Sequence, residues 1–362
     1  MKAAAAETEE TALGPAPRDN PFFEGHEGAV ATFLDAWAGG RIHHAWLLTG
    51  MQGIGKATLA YRIARFVLAR GQGLEMVPDH PVFRLVSSGG HGDLLVAERQ
   101  YDAKKGRYAD GIAVDTVREI APFLRLTSSA GGWRVVIVDG ANGMNASSQN
   151  AILKILEEPP PRTLLLLTAE NPGALLPTIR SRVRLLPLDP LPADSVVRLL
   201  DRYHPGLDPA ERQALAHLAE GSIGRALALA GTGGLETYRR MVEFLESLPR
   251  LDPVRSHEWA EGFSRAGREE DFAVVAELMV WFLDRLVRAG ATGQIAGEIF
   301  QGEGAAVQRL LSLCTLSRWM DIHDRIAQFL ARGDTASLDR KQMLMQVLWI
   351  LSSGVAGQGG QA

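Results

Sequence analysis

Apolar and polar positions alternate in two distinct ways along this chain, and the change between them divides it. In the first half, short apolar runs are separated by segments of helical period. Ala29–Trp37 places Val30, Phe33, Leu34 and Trp37 on one face and predicts a helix. Ala45–Thr49 is a short apolar run and predicts a buried strand. A Gly-rich turn follows, and then Lys56–Ala69, with Leu59, Ile63, Phe66 and Val67 at helical spacing. The stretch Gly71–Gly111 reads as irregular, with one strand at Leu94–Glu98. Asp115–Leu124 predicts a helix opened by Thr116-Val117-Arg118-Glu119, which fits a capping box. Arg134–Asp139 is an unbroken β-branched run, as expected for a strand covered on both faces of a parallel sheet. Ser147–Glu158 predicts a helix stopped by Pro159-Pro160-Pro161, and Thr163–Thr168 and Arg184–Pro187 predict two further strands. Strands separated by helices predict an α/β fold with a parallel sheet and right-handed crossovers.

After Pro187-Leu188-Asp189-Pro190-Leu191-Pro192 no strand pattern returns. Ala193–Asp201, Pro209–Ala219 and Ser222–Ala230 predict a small helical unit, and Gly231-Thr232-Gly233-Gly234 reads as a linker. From Leu235 to Ser352 the chain is helical in pattern, with amphipathic segments at Thr237–Leu248, Asp271–Ala289, Ala305–Leu330 and Leu338–Leu351. The expected organisation is a loose leader over residues 1–20, an α/β domain over 21–188, a helical unit over 189–233, a helical domain over 234–353 and a loose tail over 354–362. No internal repeat is visible.

Composition narrows the classes. At 362 residues, 46% apolar and 22% charged, the chain suits two or three packed domains, and excludes wholesale disorder and a polytopic membrane protein. The net charge of −4 gives no basic surplus of the kind that marks a free-standing nucleic-acid binder. Six lysines against 32 arginines read as a coding bias rather than a function. Cys314 is the only cysteine, so no internal disulfide or cysteine-rich zinc site can form, and a reducing cytoplasm is the expected setting. Its apolar surroundings, Leu311–Leu316, predict a buried, inert thiol. The N-terminus is Ala-rich but carries Glu7, Glu9 and Glu10 where a signal peptide needs its apolar core.

The chemistry concentrates at Gly50-Met51-Gln52-Gly53-Ile54-Gly55-Lys56, between a predicted strand and a predicted helix. Gly50, Gly53 and Gly55 allow backbone N–H groups to converge on an anion, the helix N-terminus adds partial positive charge, and Lys56 would reach the outer phosphates. The next position should supply a hydroxyl to Mg²⁺ but is Ala57. Thr58 carries a hydroxyl, yet one residue further along a helix points about 100° away. Asp139 ends an apolar strand where an acid would hold the metal, but Gly140 stands where a hydrolase keeps its catalytic acid. The scaffold is intact and two catalytic positions are lost.

Three further segments complete the pattern: Gln149-Asn150-Ala151-Ile152-Leu153-Lys154-Ile155-Leu156-Glu157-Glu158-Pro159-Pro160, then Thr178-Ile179-Arg180-Ser181-Arg182, then Gly221-Ser222-Ile223-Gly224-Arg225. In this order the chain resembles the AAA+ subunits of the bacterial sliding-clamp loader, by motif over Pro21–Arg225 and by architecture beyond. The resemblance implies a P-loop nucleotide-fold domain, a helical lid and an all-α C-terminal collar. With its degenerate loop the chain is most similar to the loader's non-hydrolysing member. That implies Arg182 acting in trans as an arginine finger on a neighbouring ATPase, with Val183 in place of the family's Cys. It also implies Thr168 and Arg225 as nucleotide sensors, ATP or ADP with weak Mg²⁺ in the degenerate site, and no intrinsic ATPase. The implied partners are the gamma/tau ATPase subunits and the delta subunit in a hetero-pentamer, and through it the sliding clamp and primed DNA. Many relatives carry a four-cysteine zinc module near Val67–Gly92; here only His80 and His91 remain, so no zinc is expected. The competing readings are an active ATPase subunit of the same loader, which requires Ser or Thr at 57 and an acid at 140, and a small-metabolite kinase, which leaves the helical third unexplained.

Overall fold

The computed structural model describes residues 14–71, 73–102, 107–109, 111–128, 131–263, 269–295, 297–333 and 339–357. The first half runs α1 (Glu27–Ala38), β1 (Ala45–Thr49), α2 (Lys56–Leu68), α3 (Pro81–Ser87) and β2 (Leu94–Ala97). A two-residue ladder, β3 (Tyr101–Asp102) with β4 (Arg107–Tyr108), leads to α4 (Val114–Arg118), α5 (Ile120–Arg125) and β5 (Arg134–Val138). Then come α6 (Ala146–Glu157), β6 (Thr163–Ala169), α7 (Pro177–Arg180) and β7 (Arg184–Pro187). The main sheet is parallel throughout, in the order β2-β5-β6-β1-β7.

The sheet explains why its strands read as unbroken apolar runs. Successive side chains point to opposite faces, and both faces are covered. Trp46 and Leu48 of β1, with Val135, Ile137, Leu164 and Leu166, pack against Phe33 of α1 and Leu59, Ile63 and Val67 of α2. Ala45, Leu47, Val136, Val138, Leu165 and Leu167 face Val117, Ile120, Ile152, Ile155 and Ile179 on the other side. Every residue of β1, β5 and β6 is buried, whereas three of the four in β7, at the sheet edge, are exposed.

Several local expectations are corrected. The helix expected over Asp115–Leu124 is two helices breaking at Glu119, because Pro122 has no N–H to return to the preceding turn. The Thr116–Glu119 capping box does not form; α4 begins one turn earlier, after Ala113. The irregular stretch 71–111 contains α3, which His80 caps by accepting the Val82 N–H, with Pro81 at the first helical position. Residues 14–20, expected to be loose, are tied to α2. The buried Arg65 guanidinium donates to the carbonyls of Arg18 and Asn20, and Arg62 donates to that of Pro21. Met1–Leu13 of the expected leader lie outside the described residues, as do 358–362 of the expected tail.

The remaining elements are helices: α8 (Ala193–Tyr203), α9 (Pro209–Leu218), α10 (Ile223–Gly231), α11 (Gly234–Leu245), α12 (Pro253–Gly262), α13 (Glu269–Thr292), α14 (Glu303–Leu311), α15 (Leu316–Gly333) and α16 (Arg340–Ala356). The linker expected at 231–234 is two residues, Thr232 and Gly233, between α10 and α11. The single helix expected over 305–330 is broken at Ser312–Thr315, and buried Cys314 lies in the break. Two compact units result: Met1–Gly206 with Ala219–Arg225, and Leu207–Leu218 with Ala226–Ala362. The segment 189–233 therefore divides between them. In the second unit, Tyr238, Phe282, Trp319, Ile322, Val347 and Leu351 are core residues. No helix among the described residues is long and apolar enough to cross a membrane.

Candidate functional site

The C-terminal ends of the parallel strands carry the predicted nucleotide residues. The loop Gly50–Gly55 leaves β1 and ends at Gly55, which caps α2 with φ 105°, so Lys56 is the first helical residue. Lys56 is buried, and its ammonium donates to the carbonyls of Gly50 at 2.7 Å and Met51 at 2.5 Å. Burial pushes the Lys56 pKa down, while the carboxylates of Glu170 and Asp139 pull it back up. The loop lysine is thus folded onto its own loop. Thr58 stands in the first turn of α2, half-buried.

Asp139 follows β5, and β6 lies between β5 and β1 in the sheet. That order sets Thr168 of β6 beside Asp139, and the Thr168 hydroxyl donates to Asp139 Oδ1 at 2.5 Å while accepting the Gly140 N–H at 2.8 Å. Thr168 is itself buried. Gly140 has φ 79°, in the left-handed region where an L side chain is strained, so the backbone here does not favour the acid that a hydrolase would carry.

The third motif packs directly against the loop. The Ser222 hydroxyl donates to the Gln52 carbonyl at 2.8 Å and accepts the Arg225 N–H at 3.1 Å, and the Gly224 N–H donates to the Gly53 carbonyl at 2.9 Å. A Cβ on Gly53 would meet Ser222 Oγ at 2.4 Å, so only glycine permits this approach. On the other side of the loop, His26 Nε2 donates to the Ile54 carbonyl at 2.8 Å. Gly50, Gly53, Gly55, Lys56, Asp139, Thr168 and Arg225 are therefore gathered at one edge of the sheet.

Arg182 is not among them. It precedes β7 and lies at the N-terminal edge of the sheet, a strand length of about 16 Å from the loop edge. Its Nη1 donates to the Thr178 carbonyl at 3.0 Å and to Ser181 Oγ at 3.2 Å, and its Nη2 lies 3.1 Å from Glu157 Oε1. Glu157 ends α6, so the Glu-Glu-Pro-Pro block and the Ser-Arg pair meet in space. His80 and His91 each accept a backbone N–H, from Val82 and Asp93 respectively.

Gln149 heads the block read from the sequence but had no role assigned to it. Its carboxamide donates to the carbonyls of Met144 and Ala174 and accepts the Leu176 N–H at 2.7 Å, joining α6 to the segment that leads into α7. A polar residue on an otherwise apolar helix face was the available signal. Glu170, one residue beyond β6, is the other unforeseen group, placed by the strand end it follows.

A parallel sheet with a phosphate loop after β1, an acid after β5 and one strand between them defines an AAA+-type P-loop nucleotide fold. The family model described as "DNA polymerase III, delta subunit" matches residues 25–192. The chain is 30% identical to the DNA polymerase III subunit delta′ of Escherichia coli K12 over 278 residues, covering 76% of this chain and 80% of that one. It is 37% identical to the delta′ subunit of Pseudomonas aeruginosa over 215 residues, spanning 58% of this chain and 63% of that relative. The tau subunit of E. coli K12 is 29% identical over 269 residues, 70% of this chain and 39% of that relative. A solved gamma subunit-related protein of Thermotoga maritima is 20% identical over 86% of this chain and 95% of that one, with a TM-score of 0.39. The chain belongs to the DNA polymerase III delta′ subunit family of clamp-loader proteins.

Proposed function

We propose that the chain acts as the delta′ subunit of a clamp loader: a cytoplasmic, largely non-hydrolysing member of a hetero-pentamer with gamma/tau and delta subunits that loads the sliding clamp onto primed DNA. In that assembly Arg182 reaches the nucleotide of a neighbouring gamma/tau subunit and stabilises charge on the transferring phosphoryl group. The observation that carries this reading is the separation of Arg182 from the loop, on opposite edges of the sheet. Arg182 lies on the edge away from the chain's own loop, too far to serve it, while the loop edge has neither a hydroxyl at 57 nor an acid at 140.

The loop edge fits the phosphate half of a nucleotide better than the metal half. The amides at the start of α2 and Lys56 would hold phosphates, once the ammonium leaves the Gly50 and Met51 carbonyls. Ala57 offers no ligand, and Asp139 accepts from Thr168 on one of its two oxygens. Bound ATP or ADP would supply phosphate charge that orders the loop, and Arg225 would face it from α10.

The test is a reconstituted loader. Arg182→Ala leaves the pentamer intact and lowers DNA- and clamp-stimulated ATPase by about tenfold or more, whereas Lys56→Ala leaves that rate near wild type. An unchanged rate for Arg182→Ala in an intact pentamer overturns the finger assignment. ATP hydrolysis by the purified chain alone, lost on Lys56→Ala, favours an active ATPase subunit instead.

A further inference from the structure

The Arg182 guanidinium is held on three sides. One is the preceding helix α7, through the Thr178 carbonyl at 3.0 Å; another is the adjoining hydroxyl of Ser181 at 3.2 Å; the last is the Glu157 carboxylate at 3.1 Å. The first two contacts use both N–H groups of Nη1, and the third is an ion pair at Nη2, so two of the five N–H donors of an arginine are occupied. The side chain keeps 36% of its surface open, so donors remain for a phosphate.

The Glu157 carboxylate is half exposed, but the backbone that carries it is braced. It is the last residue of α6, and the proline at 159 prevents the helix from continuing. The preceding carbonyl, of Leu156, accepts from His44 Nε2 at 3.1 Å, and the turn beyond closes where Thr163 Oγ1 donates to Pro160 at 2.7 Å. The Gln149 carboxamide fixes the segment entering α7 against α6, so both partners of the ion pair ride on one braced piece of the fold. An ion pair with both partners this exposed contributes little to stability.

We propose that Glu157 is a positioning residue for Arg182, holding its guanidinium in the plane and direction in which it meets the neighbouring subunit's phosphates. The proposal rests on the finger reading above. A guanidinium without this brace samples other rotamers, and misplacement of a reacting group by about 1 Å can cost up to 100-fold.

The experiment is a double-mutant cycle in the full reconstituted loader, with pentamer formation checked for every variant. Glu157→Ala is expected to lower the clamp- and DNA-stimulated kcat by roughly three- to tenfold with little change in KM for ATP. Glu157→Gln, which keeps an acceptor, is expected to recover part of that loss. In the Arg182→Ala background, Glu157→Ala is expected to have no further effect. An equal loss in both backgrounds means the carboxylate acts on structure and overturns the proposal. A gain in rate means that it competes with phosphate, and overturns it equally. If Arg182→Ala alone changes nothing, the finger reading has failed and the proposal falls with it; if Arg182→Ala lowers the rate but Glu157→Ala does not, only the positioning role is lost.

Discussion

Lys56 and Glu303 answer the same physical problem, a charge removed from water, in different ways. The Lys56 ammonium is surrounded by carbonyl oxygens of its own loop, so its charge is solvated by the backbone. Glu303 is fully buried in the second unit, where it accepts from the Tyr238 hydroxyl, from Arg285 Nε at 3.1 Å and from the Ile299 N–H at 2.6 Å. Burial and the adjacent carboxylate drive the Tyr238 pKa far up, which keeps its proton on the phenol and available to Glu303. Removing one partner of such a cluster strands the others. Glu303→Ala is therefore expected to destabilise the chain by about 3–5 kcal/mol, and Tyr238→Phe by about 1 kcal/mol, as measured by urea unfolding of the purified protein. Equal effects for the two variants would contradict a carboxylate-centred cluster. None of this was visible in the sequence, since Glu303 stands in an ordinary helical pattern and its partners come from distant segments.

Among the elements, the strands were the most legible. Residues of β1 and β7 were read with their observed limits, and β2, β5 and β6 to within a residue; in β1, β5 and β6 burial on both faces demands continuous apolar side chains. Helix ends were less so. The break at Glu119 depends on one missing N–H at Pro122, and the break before α15 on local capping at Thr315, whose hydroxyl accepts the Arg318 N–H at 3.4 Å. The segment 14–21 was misjudged because what holds it is not local. Arg65 is buried on α2 at 2% exposure, with its guanidinium over the Phe83 ring at 4.5 Å and its N–H groups on the carbonyls of Arg18 and Asn20. Arg65→Ala should cost about 2–3 kcal/mol through the carbonyls left unpaired and raise hydrogen exchange across 16–21 while sparing β1 and β6. Unchanged exchange in that segment would show that other contacts hold it.

For the whole molecule, charge matters through burial more than through the net value of −4. Burial holds the imidazoles of His44 and His91 below their ordinary pKa of 6.5; His43 lowers His44 further, whereas Asp93 opposes the shift at His91. The unfolded chain therefore takes up these protons first as pH falls. Stability is expected to decline progressively below about pH 6.5, seen as a lower unfolding midpoint at pH 5.5 than at pH 7.5. The difference should shrink in a His44→Gln, His91→Asn double variant; an undiminished pH slope would assign it to other groups.

The division between sequence and tertiary structure follows the range of the forces involved. Strand identity, the phosphate loop, the absence of a hydroxyl at 57 and of an acid at 140, and the Ser-Arg pair are short-range features, carried by residue type and spacing along the chain. Which of them meet was decided by the sheet order. Placing β6 between β1 and β5 set Thr168 on Asp139, and ending α6 beside α7 set Glu157 on Arg182. The same order sent Arg182 to the edge opposite the loop. Only the packed sheet could do this, because partners 25 or more residues apart are brought together by the burial of its two apolar faces and not by any local preference of the chain.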